Sequence, residues 1–180
     1  MGKKGSVQLN PGEAAQPHHA WNETHGPKAV NQQPLWSTLF WKQCKHVISH
    51  HENTCKTGSW VFASSPFGAN QIITGRIIEI ICQESNQSLN IVLIDLFEIL
   101  SERHPIFGMP MLSQPFGEQR TAAVHGQDIL FDYNVQHDCP AVGCIGTEDN
   151  GAISHAPLER HVINAHAFHN AHLLREVIPR

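Results

Sequence analysis

Residues 71–100 read QIITGRIIEIICQESNQSLNIVLIDLFEIL. Two β-branched apolar runs, "IIEIICQ" and "NIVLIDLF", flank the polar turn Glu84-Ser85-Asn86-Gln87, which is the pattern of a central β-hairpin. Working outward, further β-type runs occur at 45–50 (KHVISH), 59–65 (SWVFASS), 120–126 (RTAAVHG) and 128–136 (DILFDYNVQ). Turn signals separate them at Lys56-Thr57-Gly58, Ser65-Pro66-Phe67-Gly68 and Gln114-Pro115-Phe116-Gly117. Short strands at this spacing predict a small curled antiparallel sheet or barrel. The aromatic stretch "LWSTLFWKQ" (35–43) fits a short helix or strand packed against it.

The two ends differ from this middle. Residues 1–34 are rich in Gly, Pro, Asn, Gln and His and read as a mobile arm. Within it, Met1–Ser6 (MGKKGS) fits the pattern for N-myristoylation at Gly2. The stretch 156–179 changes period. On a helical wheel Val162, Ile163, Ala167, Leu173, Leu174, Val177 and Ile178 share a face, with Pro157 in the first turn and Pro179 at the stop. His166 and Asn170 fall inside that face; His161, His169 and His172 fall outside it. The chain thus reads as an arm (1–34), a β-domain (35–138) and a loop with a terminal helix (139–180). The fold class is mainly β with a C-terminal α-helix.

The chemistry concentrates in the last of these segments. "NVQHDCPAVGC" (134–144) places two of the five cysteines, Cys139 and Cys144, around a Pro/Gly turn. Zinc prefers thiolate and imidazole at short spacing, so Cys139, Cys144, His155 and His166 form a candidate Cys2His2 site pinning the helix to the last strand. His137 and His169 are substitutes. Ordinary buried thiols with unrelated histidines remain the alternative. Cys82 ends an apolar strand and reads as core. Cys44 and Cys55, with His46, His50 and His51 between them, read as a hairpin edge, with a second metal site as the alternative. No G-x-S-x-G elbow, P-loop or G-x-G-x-x-G is present.

Charge narrows the partners. All six lysines lie in the first 56 residues; from Thr57 to Arg180 six arginines face thirteen acids, a formal −7. That balance opposes non-specific phosphate-backbone binding outside the arm and favours a basic peptide. Residues 1–30 hold no apolar leader, and no run is long enough to span a membrane. The odd cysteine count fits a reducing compartment, nuclear or cytoplasmic.

The strand series resembles the bromo-adjacent homology (BAH) domain, an SH3-like chromatin-associated barrel. Gly58-Ser59-Trp60-Val61-Phe62 matches its opening strand, Gly75-Arg76-Ile77 the next, Val92 to Phe97 its aromatic-rich strand and Gln127-Asp128-Ile129 the lead into the closing strand, together covering roughly 45–138. This likeness implies a BAH-like barrel in chromatin or protein interaction. Residues 137–175 are similar to the tails of proteins from mushroom-forming fungi that carry "QHDC…C" and "H…INTHAxHNxHLLR". "HDCPAVGC" also resembles the core of His-Cys box homing endonucleases. That likeness implies His137 as general base, zinc on the cysteines, and Mg²⁺ on Asn164 or Asn170, although the histidine that follows the second cysteine in that family has no counterpart here. The expectation is therefore a zinc-stabilised interaction module, with a metal-dependent nuclease as the alternative.

Overall fold

The computed structural model describes residues 3–9, 18–83, 85–114, 120–138, 145–146, 153–154, 160–166 and 169–178. Fourteen strands lie among them: β1 (Val7–Leu9), β2 (His19–Ala20), β3 (Phe40–Ile48), β4 (Thr54–Cys55), β5 (Trp60–Ser64), β6 (Ile72–Gln83), β7 (Asn86–Arg103), β8 (Pro110–Ser113), β9 (Thr121–His125), β10 (Ile129–Tyr133), β11 (Val135–His137), β12 (Ile145–Gly146), β13 (Ile153–Ser154) and β14 (Arg160–Ile163). One α-helix, α1, follows at Ala171–Val177. The mainly antiparallel β class with a C-terminal helix is as expected. Among the described residues no helix is long and apolar enough to cross a membrane.

The chain divides into two units, residues 1–97 with 115–133, and residues 98–114 with 134–180. The β-domain read over 35–138 is therefore divided differently, because β7 runs on past Phe97 into the second unit.

In the first unit β6 and β7 form the central hairpin, from Thr74↔Phe97 to Gln83↔Asn86. β5 and β3 pair with opposite ends of β6, β10 pairs with β5, and β9 pairs with β7. The pairing leaves β9 and β10 as separate edges, so the observed ladder is an open sheet. A register shift between Ile77 and Glu79 turns the buried Glu79 carboxylate toward the His25 amide at 2.7 Å and the Gln43 side chain at 3.2 Å. These donors satisfy a group that would otherwise be costly to bury.

Consecutive residues of β7 are buried, which requires cover on both faces. Val92 and Ile94 join Val47, Cys55, Val61, Ile77, Ile80 and Ile129 in one cluster. Ile91 and Leu93 join Trp21, Trp36 and Trp41 in the other. Here the structure departs from the arm expected over 1–34. Residues 18–38 wind through three short 3-10 turns that stack Trp21 on Trp36 at 5.3 Å and on Trp41 at 5.6 Å. Gly26 lies against the Trp21 ring where a Cβ would collide. The Asn31 amide exchanges two hydrogen bonds with the Ala123 backbone, 2.7 and 2.9 Å, as a further strand would. The segment has low apolar density, but the indoles of Trp21 and Trp36 carry enough area to order it.

Trp21→Ala should therefore lower stability by about 3–5 kcal/mol, the usual range for emptying a buried aromatic site. The urea midpoint reads this out, and a change near zero would return the segment to a solvated arm.

Candidate functional site

In the second unit the far end of β7 pairs with β8, β8 with β14, and β14 with β11, all antiparallel. β14 occupies Arg160–Ile163, inside the stretch expected to be helical, and α1 begins only at Ala171. Between them Asn164 Oδ1 accepts the His166 amide at 3.2 Å, and Asn170 takes a left-handed conformation at φ 56°. The two asparagines break the helix that the apolar spacing predicts; their side chains compete for the backbone and tolerate left-handed geometry. Val162 and Ile163, β-branched, pair as strand instead.

This inverts the histidine faces. His161 is 8% exposed, opposite His137 on β11 and Leu112 on β8, whereas His166 is exposed in the turn. His172 is exposed on α1 and His169 in the turn before it. The expectation that His166 faces the sheet and His161 faces solvent is corrected accordingly.

The base of the β11–β14 pair holds a buried charge cluster. The Asp138 amide donates to the Arg160 carbonyl at 3.1 Å, extending the ladder. Its carboxylate, 1% exposed, lies 3.1 Å from Arg160 Nε and 3.4 Å from His104 Nε2. His104 comes from the β7–β8 hairpin, where its Nδ1 accepts the Ile106 and Phe107 amides, both at 3.2 Å. With Nδ1 so used, the ring proton belongs on Nε2, facing Asp138. The Phe107 ring stacks on His104 at 4.7 Å, leaving Ile106 and Phe107 themselves exposed at the tip. Arg160 also reaches Met111 Sδ at 3.2 Å.

A family model described as a domain of unknown function, DUF8590, matches residues 7–180. The chain belongs to the DUF8590 family. No curated protein and no solved structure matches it.

In this DUF8590 member, Cys139, Cys144 and His155 lie outside the described residues. Their bracket does not: segment 139–159 leaves from Asp138 and returns at Arg160, the two residues joined by the buried pair. Within it, Ile145 pairs with Ser154 and Gly146 with Ile153. Of the other sequence candidates, His137 is half-buried and packs its ring edge-to-face on His161 at 5.3 Å. Asn164 follows β14, with its amide donating to the Asn134 carbonyl at 2.9 Å, and Asn170 reaches His169 at 3.1 Å. Asp138 was legible only as a neighbour of Cys139, and His104 and Arg160 carried no sequence signal.

The remaining cysteines sit in the first unit as core. Cys44, Cys55 and Cys82 are buried, and His50 and His51 are exposed. Among the described residues no three His, Cys, Asp or Glu side chains converge as a metal group. Burial pushes the Cys55 thiol up from 9.0 to about 12, with the Asp132 charge adding and a Ser49 hydrogen bond opposing. Burial likewise raises Tyr133, whose hydroxyl bonds Thr74.

Two outcomes follow for stability. Asp138→Ala strands His104 and Arg160 and should cost about 3 kcal/mol in urea unfolding, as loss of one partner from a buried pair does. Arg160→Ala, whose side chain is 40% exposed, should cost less. A thiol raised on folding stabilises fully below its unfolded value. The Cys55 contribution is thus complete below pH 9 and is lost as pH rises toward about 12. Cys55→Val should flatten the alkaline fall of the unfolding midpoint, and an unchanged profile would contradict a thiol held neutral by the fold.

Proposed function

We propose that this DUF8590 member is a zinc-stabilised interaction module whose partner is a basic peptide on a protein, chromatin proteins included. The observation that carries the reading is the Asp138–Arg160 clip. It holds together both ends of a segment containing Cys139, Cys144 and His155, with His137 at the same base. Cys144 immediately precedes Ile145 and His155 immediately follows Ser154 in the sequence, and Ile145 pairs with Ser154. Zinc bound there supplies a cross-link in place of a hydrophobic core. His137 suits the fourth position better than His166 or His169, which are exposed in the turn.

Acidic surplus beyond Thr57 favours a cationic partner. The hairpin tip at Ile106 and Phe107, where the Phe107 ring stacks on His104, offers an apolar anchor. Closure of the first unit's sheet into a BAH-like barrel, and a zinc tether from the loop to α1, are finer parts of the same reading.

Elemental analysis of the purified chain should find one zinc per molecule. A strong chelator, Cys139→Ser or Cys144→Ser should each lower the melting temperature, and His137→Ala should weaken zinc retention more than His166→Ala. A Lys/Arg-rich peptide should bind, with affinity falling as salt rises and lost in Ile106→Asp. Absence of stoichiometric metal together with an unchanged melt would remove the zinc site. Mg²⁺-dependent plasmid nicking that disappears in His137→Ala, without peptide binding, would replace the module with a nuclease.

A further inference from the structure

A cleft of about 600 Å³ opens in the first unit. Three segments wall it: Lys3 to Val7, Asn86 to Asn90 at the β6–β7 turn, and His125 to Gln127 between β9 and β10. A volume of this size is that of a small-molecule site.

One buried side chain ties the three walls together. Asn90 Nδ2 donates to the carbonyls of Gly5 and Gln87, both at 3.0 Å, and Asn90 Oδ1 accepts the Gly126 amide at 3.0 Å. All the polar capacity used points into the walls, so Asn90 shapes the cleft. Gly5 has φ +70° and lies so close to Gln127 that a Cβ would stand 3.0 Å from its Cα. The Gly5 amide donates to the Ile48 carbonyl at 2.9 Å, and Ile48 returns a bond to Ser6 at 2.9 Å. The N-terminal segment is thereby bound along β3, and Lys3 and Lys4 are carried to the rim. Lys4 Nζ is 3.3 Å from His50 Nε2. The His125 ring stands edge-on to buried Trp36 at 6.5 Å.

Among the described residues the charged groups of the lining have one sign. Lys3 and Lys4 are joined by the hydrogen-bonding side chains of Asn86, Gln87, His125 and Gln127, and among the described residues no carboxylate lines the cleft. In a chain of formal charge −4 that segregation is unexpected from composition. Clustered like charge in a concave wall focuses the potential and draws the opposite charge. The rim ammonium groups suit phosphate oxygens as point charges, while the amides can donate to and accept from a polar body attached to the phosphate.

We propose that this cleft binds a small phosphate-bearing molecule. Duplex nucleic acid is not the occupant favoured, because the chain apart from Lys3 and Lys4 has a formal charge of −6.

The test uses the full chain with any purification tag at the C-terminus, so that Lys3 and Lys4 keep their setting. Pyrophosphate is the probe, followed by its phosphorus resonance and by the protein's melting temperature at constant ionic strength. Saturable binding and a raised melting temperature are expected. Lys3→Gln/Lys4→Gln should weaken binding about tenfold or more, the loss expected when charge-assisted contacts go. The double variant's own melting temperature without probe should match wild type, since both lysines are exposed. Sodium chloride at matched ionic strength should give no shift. No saturable binding, an equal shift with chloride, or undiminished binding in the double variant would each overturn the proposal. A short DNA duplex binding more tightly than pyrophosphate, with the same loss in the double variant, would also overturn it by making the cleft part of a nucleic-acid surface.

Discussion

Ile91, Val92, Leu93 and Ile94 alternate between the two faces of β7, and all four are inaccessible to solvent. Each buried aliphatic side chain is worth about 1.5–3 kcal/mol, but only if both faces stay covered. One face is covered by strands folding back: β3, β5, β9 and β10 supply Val47, Val61, Val124 and Ile129. The other face takes Trp41 from β3 and Ala123 from β9 and needs further cover. Residues 18–41 supply it with three tryptophans. The ordering of an otherwise polar N-terminal segment is thus a consequence of a strand with no solvent face.

The second unit contains a buried carboxylate. Taking Asp138 out of water is expensive, and the Arg160 and His104 side chains at 3.1 and 3.4 Å offset that cost by charge while neither carboxylate oxygen gains a hydrogen bond. Such an arrangement contributes little net stability compared with apolar packing. It gives position instead: the buried carboxylate is tolerated only where the guanidinium and imidazole stand beside it. The register of β11 on β14 is therefore well determined, and so are the points where segment 139–159 leaves and returns.

How much of this the amino-acid sequence discloses depends on which force decides each element. The central hairpin was legible because β-branched runs on both sides of a polar turn have few other solutions. β9 and β10 were legible by the same composition. Residues 160–178 were not. Their apolar spacing satisfies a helical wheel, and Asn164 and Asn170 are ambiguous until a neighbour is known. β14 forms because β8 and β11 present unpaired edges on either side of it, a fact located 49 residues away in the case of Met111 and Arg160. Trp21 was under-weighted for a related reason. Window composition averages away a lone large ring whose burial is decided by Trp36, Trp41 and Gly26.

The same non-local logic bears on the cysteine-bearing segment. Residues 139–159 contain only four large aliphatic residues, Val142, Ile145, Ile153 and Leu158, too few to bury a core of their own. Loops longer than about 12–15 residues with no support of their own are uncommon in compact proteins unless they carry a function. Clipping the ends removes only part of the chain entropy, because closure cost grows slowly with loop length and the interior still has to be ordered residue by residue. The short β12–β13 pairing is too small to supply that by itself. The zinc proposed above would supply a cross-link from inside the segment, where Cys139, Cys144 and His155 carry the thiolate and imidazole chemistry it prefers. In that proposal the polar clip fixes where the ligand-bearing segment begins and ends, and the metal would hold what lies between.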